Sequence, residues 1–442
     1  MKIKNSKLKI KNSQEGFAAF YVAIIVLIIM AGIALTLLFL VVNQQKILSN
    51  SLTSYKSFSV TESGIEDALL RLSKDKKWFS PYNLTLGTGA SNVEISDIIG
   101  GARTITSTGN VNNRIRKVRV VYKISTEDVS FYYGIQVGAL GLQMTGNAVV
   151  YGNIFSNGPI TGASNTKIYG DAISAGPAGL INTMRIKKSS GKGGNAWAAT
   201  ITGGDKCVID GDAHYTTSID CDTVGGSTSP GTPVTPQDMP ITQEKITSWQ
   251  NDAVAGGTIA GYSLGGNNTD SLGPVKVDGD MTLDSNAKLT ITGTIWVTGN
   301  LSLNSNAVIL LDPGYSSFSG VIVVNGHISA SSNVVFCGSE GYKGGGKCNS
   351  SVGSYIMLLS IDGSDNPSNP AIYATSNTKT AILYASNGLI KLGSNAKLKE
   401  ATGFGIYMDS NAEVTYETGL ADIRFSSGPG GGWKVASWKE IE

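Results

Sequence analysis

The chain has 442 residues, 35 basic and 33 acidic side chains, a net charge of +2 and 41 % apolar residues. Charge this sparse and balanced excludes a general nucleic-acid binder, which needs a basic face. Fifty-five glycines against twelve prolines exclude collagen and, with that apolar share, low-complexity disorder; many short strands joined by tight turns fit instead.

Residues 1–16 read as a basic leader, with Lys2, Lys4, Lys7, Lys9 and Lys11 against Glu15 alone. From Phe17 to Val42 no residue is charged. As a helix this run spans about 39 Å, more than the ~30 Å hydrocarbon core requires. Membrane lipid is therefore the first expected partner. The leader's lysines place the N-terminus in the cytoplasm and the body outside the cell or on its surface. Leu48, Leu52, Tyr55, Phe58, Ile65, Leu69 and Leu72 then recur at helical spacing. Residues 17–72 are thus predicted as one transmembrane helix and stalk, with Gly64 as a weak point worth about 1 kcal/mol against alanine.

These residues carry a resemblance. A short lysine-rich leader that opens at Gly16-Phe17 directly into an apolar helix resembles the type III signal of type IV pilins. The run SVTESGIEDALLRL from Ser59, with Glu62, is similar to the end of the first helix in PilX-type pilus assembly proteins. The likeness covers about residues 10 to 72. It implies cutting between Gly16 and Phe17 by a prepilin peptidase and assembly with other pilin-like subunits. An uncut single-pass anchor is the alternative. Major pilins carry glutamate at the fifth mature position, where this chain has Tyr21; the departure points to a minor or tip subunit.

Residues 73–130 are read as a β connector with at least two strands. Within it RIRKVRVVYKI from Arg114 alternates basic and apolar positions, as an edge strand guarded by charge does. Residues 131–174 read as first coils of a parallel β-helix, because the stretch from Asn147 matches the stretch from Asn165. Residues 175–274 read as an irregular insertion, holding a cysteine loop and a short helix capped by Thr242, stapled by Ile241 onto Ile246 and ended by Gly256.

Residues 275–442 are predicted as the main β-helix with a C-terminal cap. Apolar and small residues occupy the odd positions from Val275 to Leu311 and repeat after 20 residues, too long an alternation for one strand. Successive turns of a three-sided coil, stacked in parallel, explain it. Asn147, Asn165, Asn286, Asn306, Asn377, Asn395 and Asn411 mark corners, where asparagine tolerates the left-handed backbone. The expected fold is mainly β: a transmembrane helix and stalk, then a parallel β-helix with an insertion. The C-terminal half also resembles bacterial surface proteins in which a PilX-type N-terminus precedes a β-helix, and the run from Leu420 to Glu442 looks like their shared ending.

Cys207 and Cys221, like Cys337 and Cys348, are local pairs without zinc-knuckle or redox spacing. Two loop-closing disulfides suit an exported body, and free buried thiols are the alternative. Parallel β-helices also carry polysaccharide-cleaving enzymes, so catalysis is the main rival reading. Asn268-Thr269-Asp270 and Arg185-Ile186-Lys187 resemble galacturonan-hydrolase signatures, but in inverted order and without the paired aspartates. Asp278, Asp280 and Asp284 read as a solvated face, and Asp362, Asp365 and Asn366 lack EF-hand spacing. GYKGGGKC from Gly341 lacks the Ser or Thr of a phosphate-binding loop. No enzyme, metal or cofactor is expected. The function expected is structural or adhesive display at the cell surface, with a surface polysaccharide as the alternative partner.

Overall fold

The computed structural model describes residues 15–74, 81–96, 102–124, 126–128, 131–163, 165–349, 353–379, 381–417, 420–421, 423–426 and 433–441. The fold is mainly β, with a long apolar N-terminal helix and a closed parallel sheet.

Helix α1 runs unbroken from Glu15 to Lys74. Its last turns pack on an antiparallel sheet of β1 (Tyr82–Leu86), β2 (Gly89–Ile95), β3 (Ala102–Val111), β4 (Arg114–Ile124) and the C-terminal strand Trp433–Ile441, in that order. The buried face of α1 is Ser57, Val60, Thr61, Gly64, Ile65, Ala68 and Leu72. Of the stripe predicted from large apolar residues, Ile65 and Leu72 belong to it, whereas Leu48, Leu52 and Tyr55 are exposed. The helix approaches the sheet through small residues, which a count of large ones misses. β4 corrects a second expectation: it pairs with β3 on one side and the C-terminal strand on the other, so it is an inner strand. The chain's end is therefore no cap on the body, since it returns to the sheet beside the helix.

In the body, Ile295–Val297, Leu301–Leu303 and Val308–Leu311 pair in parallel with strands 20 residues earlier and with strands 27 residues later. The side chains at the apolar odd positions, Val275 through Leu311, are buried. Ser285 lies at a corner and is exposed.

The predicted insertion is largely not one. Strands from Leu180 to Pro230 continue the parallel stack begun at Ile135. What hid them is irregular spacing, with register shifts between residues 198 and 208 breaking the period. Only the stretch after Pro230 leaves the stack, and it carries α2 (Gln243–Ala255), capped by Thr242 and with Ile246, Trp249 and Ala253 buried. Trp249 meets Phe425 edge-on at 5.5 Å.

The order of the coils is not the order of the chain. Glu400–Met408 pairs in parallel with Ile135–Met144, and Glu413–Thr415 with Val149–Tyr151. The last coil of the second segment thus stacks on the first coil of the first. The chain enters at mid-stack, builds outward to Pro230, crosses back through α2, restarts at Thr258 and returns to its own starting point.

On one side, the outward faces of Val321, Val323, Met357, Leu359, Ile382 and Tyr384 are covered by α2 and by Leu420, Ile423 and Phe425, forming a second core. Glu400 is also fully buried; Thr402 donates to its Oε1 at 2.5 Å and its Oε2 has no partner among the described residues. Burial pushes this carboxyl well above the ordinary range, against the Thr402 hydrogen bond. The folded chain then holds a proton that the unfolded chain releases above about pH 4.3. Its contribution is complete below that pH and is lost as pH rises through the folded pKa. Glu400→Gln is expected to flatten this decline and to raise the urea midpoint at pH 8 more than at pH 5. Equal shifts at both pH values contradict that.

Candidate functional site

The N-terminal part of α1 is an apolar surface that none of the described residues covers. It is exposed throughout, and by length and composition it is enough to cross a membrane. Thr36, inside this run, donates to Gly32 O at 2.8 Å, satisfying its hydroxyl within the helix as an apolar solvent demands. Gly16 and Phe17 fall in the first helical turn, and residues 1–14 of the predicted leader lie outside the described residues. Tyr21 is 57 % exposed on the apolar rod. Glu62 is half-buried where the rod meets the sheet.

That joint is polar and close-packed. Thr61 Oγ1 lies 2.8 Å from Ser57 O and 3.1 Å from Arg116 O, and accepts from Gly109 N at 3.1 Å. Ser57 donates to Gly109 O at 3.0 Å, and Ser107 to Thr61 O at 2.7 Å. A Cβ on Gly64 would sit 2.5 Å from both Ser91 Oγ and Ser107 Oγ. Gly64 is therefore a point of close approach rather than a weak point, as is Gly109 across from it, where a Cβ would run into Thr61 Oγ1.

The asparagine corner is more complete than the sequence reading had it. Asn286, Asn306, Asn377, Asn395 and Asn411 are left-handed, and Asn267 and Asn333 join them, all with φ between 61° and 64°. Asn333 Nδ2 donates to Asn306 Oδ1 at 3.2 Å, and Asn147 Nδ2 donates to Asn411 Oδ1 at 3.3 Å across the mid-stack seam. At Asn147 the left-handed residue is the preceding Gly146 (φ 54°); Asn165 is an exposed turn residue. A second ladder, irregular in sequence spacing, runs along another corner. Asn153, Asp171, Asn195 and Asp212 each accept, through Oδ1, the backbone N–H of the next coil at 2.7–3.0 Å. Asp280 and Asn300 do the same in the other segment. The Ser227 N–H and hydroxyl hold the Asp212 carboxyl below its ordinary range. Asp278 and Asp284 likewise accept from Thr298 and Asn304, so this acidic row is tied to the next coil.

Cys207 is bonded to Cys221, and Cys337 to Cys348. The second bond closes a loop in which Tyr342–Gly344 and Lys347–Cys348 form a small hairpin. Between this loop and the stack lies a cavity of about 420 Å³, lined in part by Glu340, Tyr355, Lys379, Lys399 and Glu417. Burial pushes the Glu417 carboxyl up, but hydrogen bonds from Lys399 and Tyr355 outweigh it and leave it below the ordinary range. Burial raises Glu340, whose Oε2 has no partner among the described residues. Residues 350–352, 380 and 418–419, neighbours in sequence, lie outside the described residues.

The other motifs do not assemble. Thr269 and Arg185 lie on one row of paired strands nine spacings apart, about 43 Å at 4.8 Å each. Asp362 and Asn366 accept from Ser364 N and Ser368 N as turn anchors. Among the described residues no three His, Cys, Asp or Glu side chains could hold a metal ion. Tyr151 and Tyr169 stack at 5.0 Å with their planes 8° apart, spending their faces on each other.

No known family matches the chain, and no curated protein does. A solved structure, that of the competence-associated pilin ComZ from Thermus thermophilus, is similar to it over 88 % of this chain and 98 % of its own, at 12 % identity and a TM-score of 0.26. A score that low carries nothing from that protein to this one.

Proposed function

We propose that this chain is a surface subunit of a type IV pilus-like system, held in the membrane by α1 and displaying a three-sided parallel β-helix. One observation carries the reading: a single 60-residue helix is bare and apolar in its N-terminal part and bolted to an antiparallel sheet in its C-terminal part. A helix of that kind needs lipid, or like helices, around its first half. The leader's lysines favour a cytoplasmic N-terminus with the body outside, where disulfides persist. Gly16-Phe17 is then the processing site for a prepilin peptidase, and other pilin-like subunits are the partners. Tyr21 in place of an acid favours a minor position, since there is no carboxylate to pair in an apolar helix bundle. The body acts by display, structural or adhesive, rather than by catalysis. Asp171, Asp212, Asp278, Asp280 and Asp284 each accept a hydrogen bond from the next coil.

Mass spectrometry of the native protein tests the processing step. A chain beginning at Phe17 is expected; a chain beginning at Met1 or Lys2 leaves only a single-pass anchor. A second reading, binding of a surface polysaccharide, is favoured by the cavity beside the Cys337–Cys348 loop, whose polar lining suits a small hydroxylated ligand.

A further inference from the structure

The β3–β4 hairpin ends in Asn112 and Asn113, both left-handed, and its tip points along α1 toward the apolar segment. Arg114 Nη2 donates to Asn50 Oδ1 at 2.8 Å, and Arg116 Nε to Ser54 Oγ at 2.9 Å. Asn50 is eight residues beyond Val42, the last apolar residue before Asn43-Gln44-Gln45, so the Arg114 guanidinium sits about 12 Å along the helix from the end of the apolar run. That is within the reach of the anionic surface of a bilayer.

Between the helix and this tip lies an open groove of about 680 Å³, whose lining includes Asn50, Ser54, Tyr55, Phe58 and the two arginines. Glu440 pairs with Arg116 at 2.8 Å, while the partner of Arg114 is a neutral amide. Exposed Lys46 lies on the same helix nearer the membrane. The β1–β2 turn lies at the same end of the sheet but farther along α1, because a Cβ on Gly89 would meet Val60 as well as Val111. Ile115, next to Arg114, is 62 % exposed. Apolar side chains beside guanidinium groups are what an interfacial zone accommodates.

We infer that this groove binds the phosphate of an anionic phospholipid in the leaflet from which α1 emerges. Arg114 supplies the charge-assisted hydrogen bonds, Asn50 and Ser54 add polar contacts, and Ile115 sits among the headgroups. The pattern RIRKVRVVYKI thus has a use: its apolar side chains Val118, Val120 and Tyr122 fill the joint with α1, while its first two arginines turn to the membrane. This inference rests on α1 crossing the membrane.

The test uses the full chain in lipid nanodiscs of phosphatidylcholine with increasing phosphatidylglycerol. A bimane label is placed on Asn113→Cys and, separately, on Leu35→Cys. Quenching of the Leu35 site by lipids with a nitroxide in the acyl chain reports the membrane span. Its absence overturns the membrane reading itself. With that span present, the Asn113 site is expected to be quenched by headgroup nitroxide as phosphatidylglycerol rises, and less so in high salt. Arg114→Gln should move the half-maximal phosphatidylglycerol content upward roughly fivefold, the worth of one basic residue near such a surface. Quenching that ignores phosphatidylglycerol and salt, or that Arg114→Gln leaves unchanged, overturns the lipid site, as does quenching seen only when neighbouring copies share a disc. If Arg114→Gln alters the unfolding transition, the salt and lipid titrations of the unaltered arginine decide alone.

Discussion

Leu283→Asp is expected to unfold the body, while Thr282→Asp, one position earlier, leaves it nearly unchanged. Leu283 is fully buried and stacked between Leu264 and Leu303 of the adjoining coils. The interior there is aliphatic, so a carboxylate finds no partner and costs several kcal/mol, beyond the loss of the leucine's own burial. Thr282 is half-exposed on the outer face, opposite Ser263 and Ser302, where an aspartate stays in water. Urea midpoints of the two variants separate the faces. Midpoints lowered equally would place the chain one residue out of register, because each one-residue slip exchanges the two faces.

Gly64→Leu is expected to cost about 4 kcal/mol at the joint between α1 and its sheet. An added Cβ already meets Ser91 Oγ and Ser107 Oγ at 2.5 Å and Val93 Cγ2 at 3.0 Å. Those hydroxyls are bonded to each other at 2.6 Å, and Ser107 also holds Thr61 O, so they cannot move without leaving buried polar groups unpaired. Overpacking of this kind costs about 1–3 kcal/mol, and each orphaned group a similar amount. Propensity alone points the other way, since leucine is the better helix former by nearly 1 kcal/mol. Hydrogen exchange read along β2 and β3 distinguishes the two. Faster exchange in the variant marks an undocked helix, whereas unchanged exchange with a more stable α1 would mean that the joint tolerates a side chain.

The apolar helix and the alternating coils were legible because each is a long, regular run. Twenty-six uncharged residues and an exact 20-residue return of Leu283 at Leu303 leave little choice of solvent or period. The corner asparagines were legible for a similar reason: left-handed backbone selects few residues. Coils between Leu180 and Pro230 were not, because shifted register at Gly204 and Val208 removes the constant period that a repeat search needs. The doubled core beneath α2 left a trace that passed unread. GVIVV at Gly320 and IMLLS at Ile356 are continuous apolar runs rather than alternating ones, as strands buried on both faces are. The joint at Gly64 and the pairing of β4 with the C-terminal strand had no local trace to read. Both depend on segments distant in the chain, and no periodicity encodes which partner will arrive.

The closing of the stack on its own beginning sets a schedule for the chain as it is made. The coil at Ile135 waits for Ala401, roughly 270 residues later, before its second edge is covered. At ordinary rates of synthesis that is an interval of roughly 13 to 54 s. For that interval the first segment presents an open row of backbone donors and acceptors, the feature that invites pairing with the wrong chain. A long parallel edge without a neighbour favours a chaperone or rapid export to hold it apart. It also gives a truncated product a specific defect: a chain stopped before Glu400 has every residue of its first segment and still lacks the strand that would seal it.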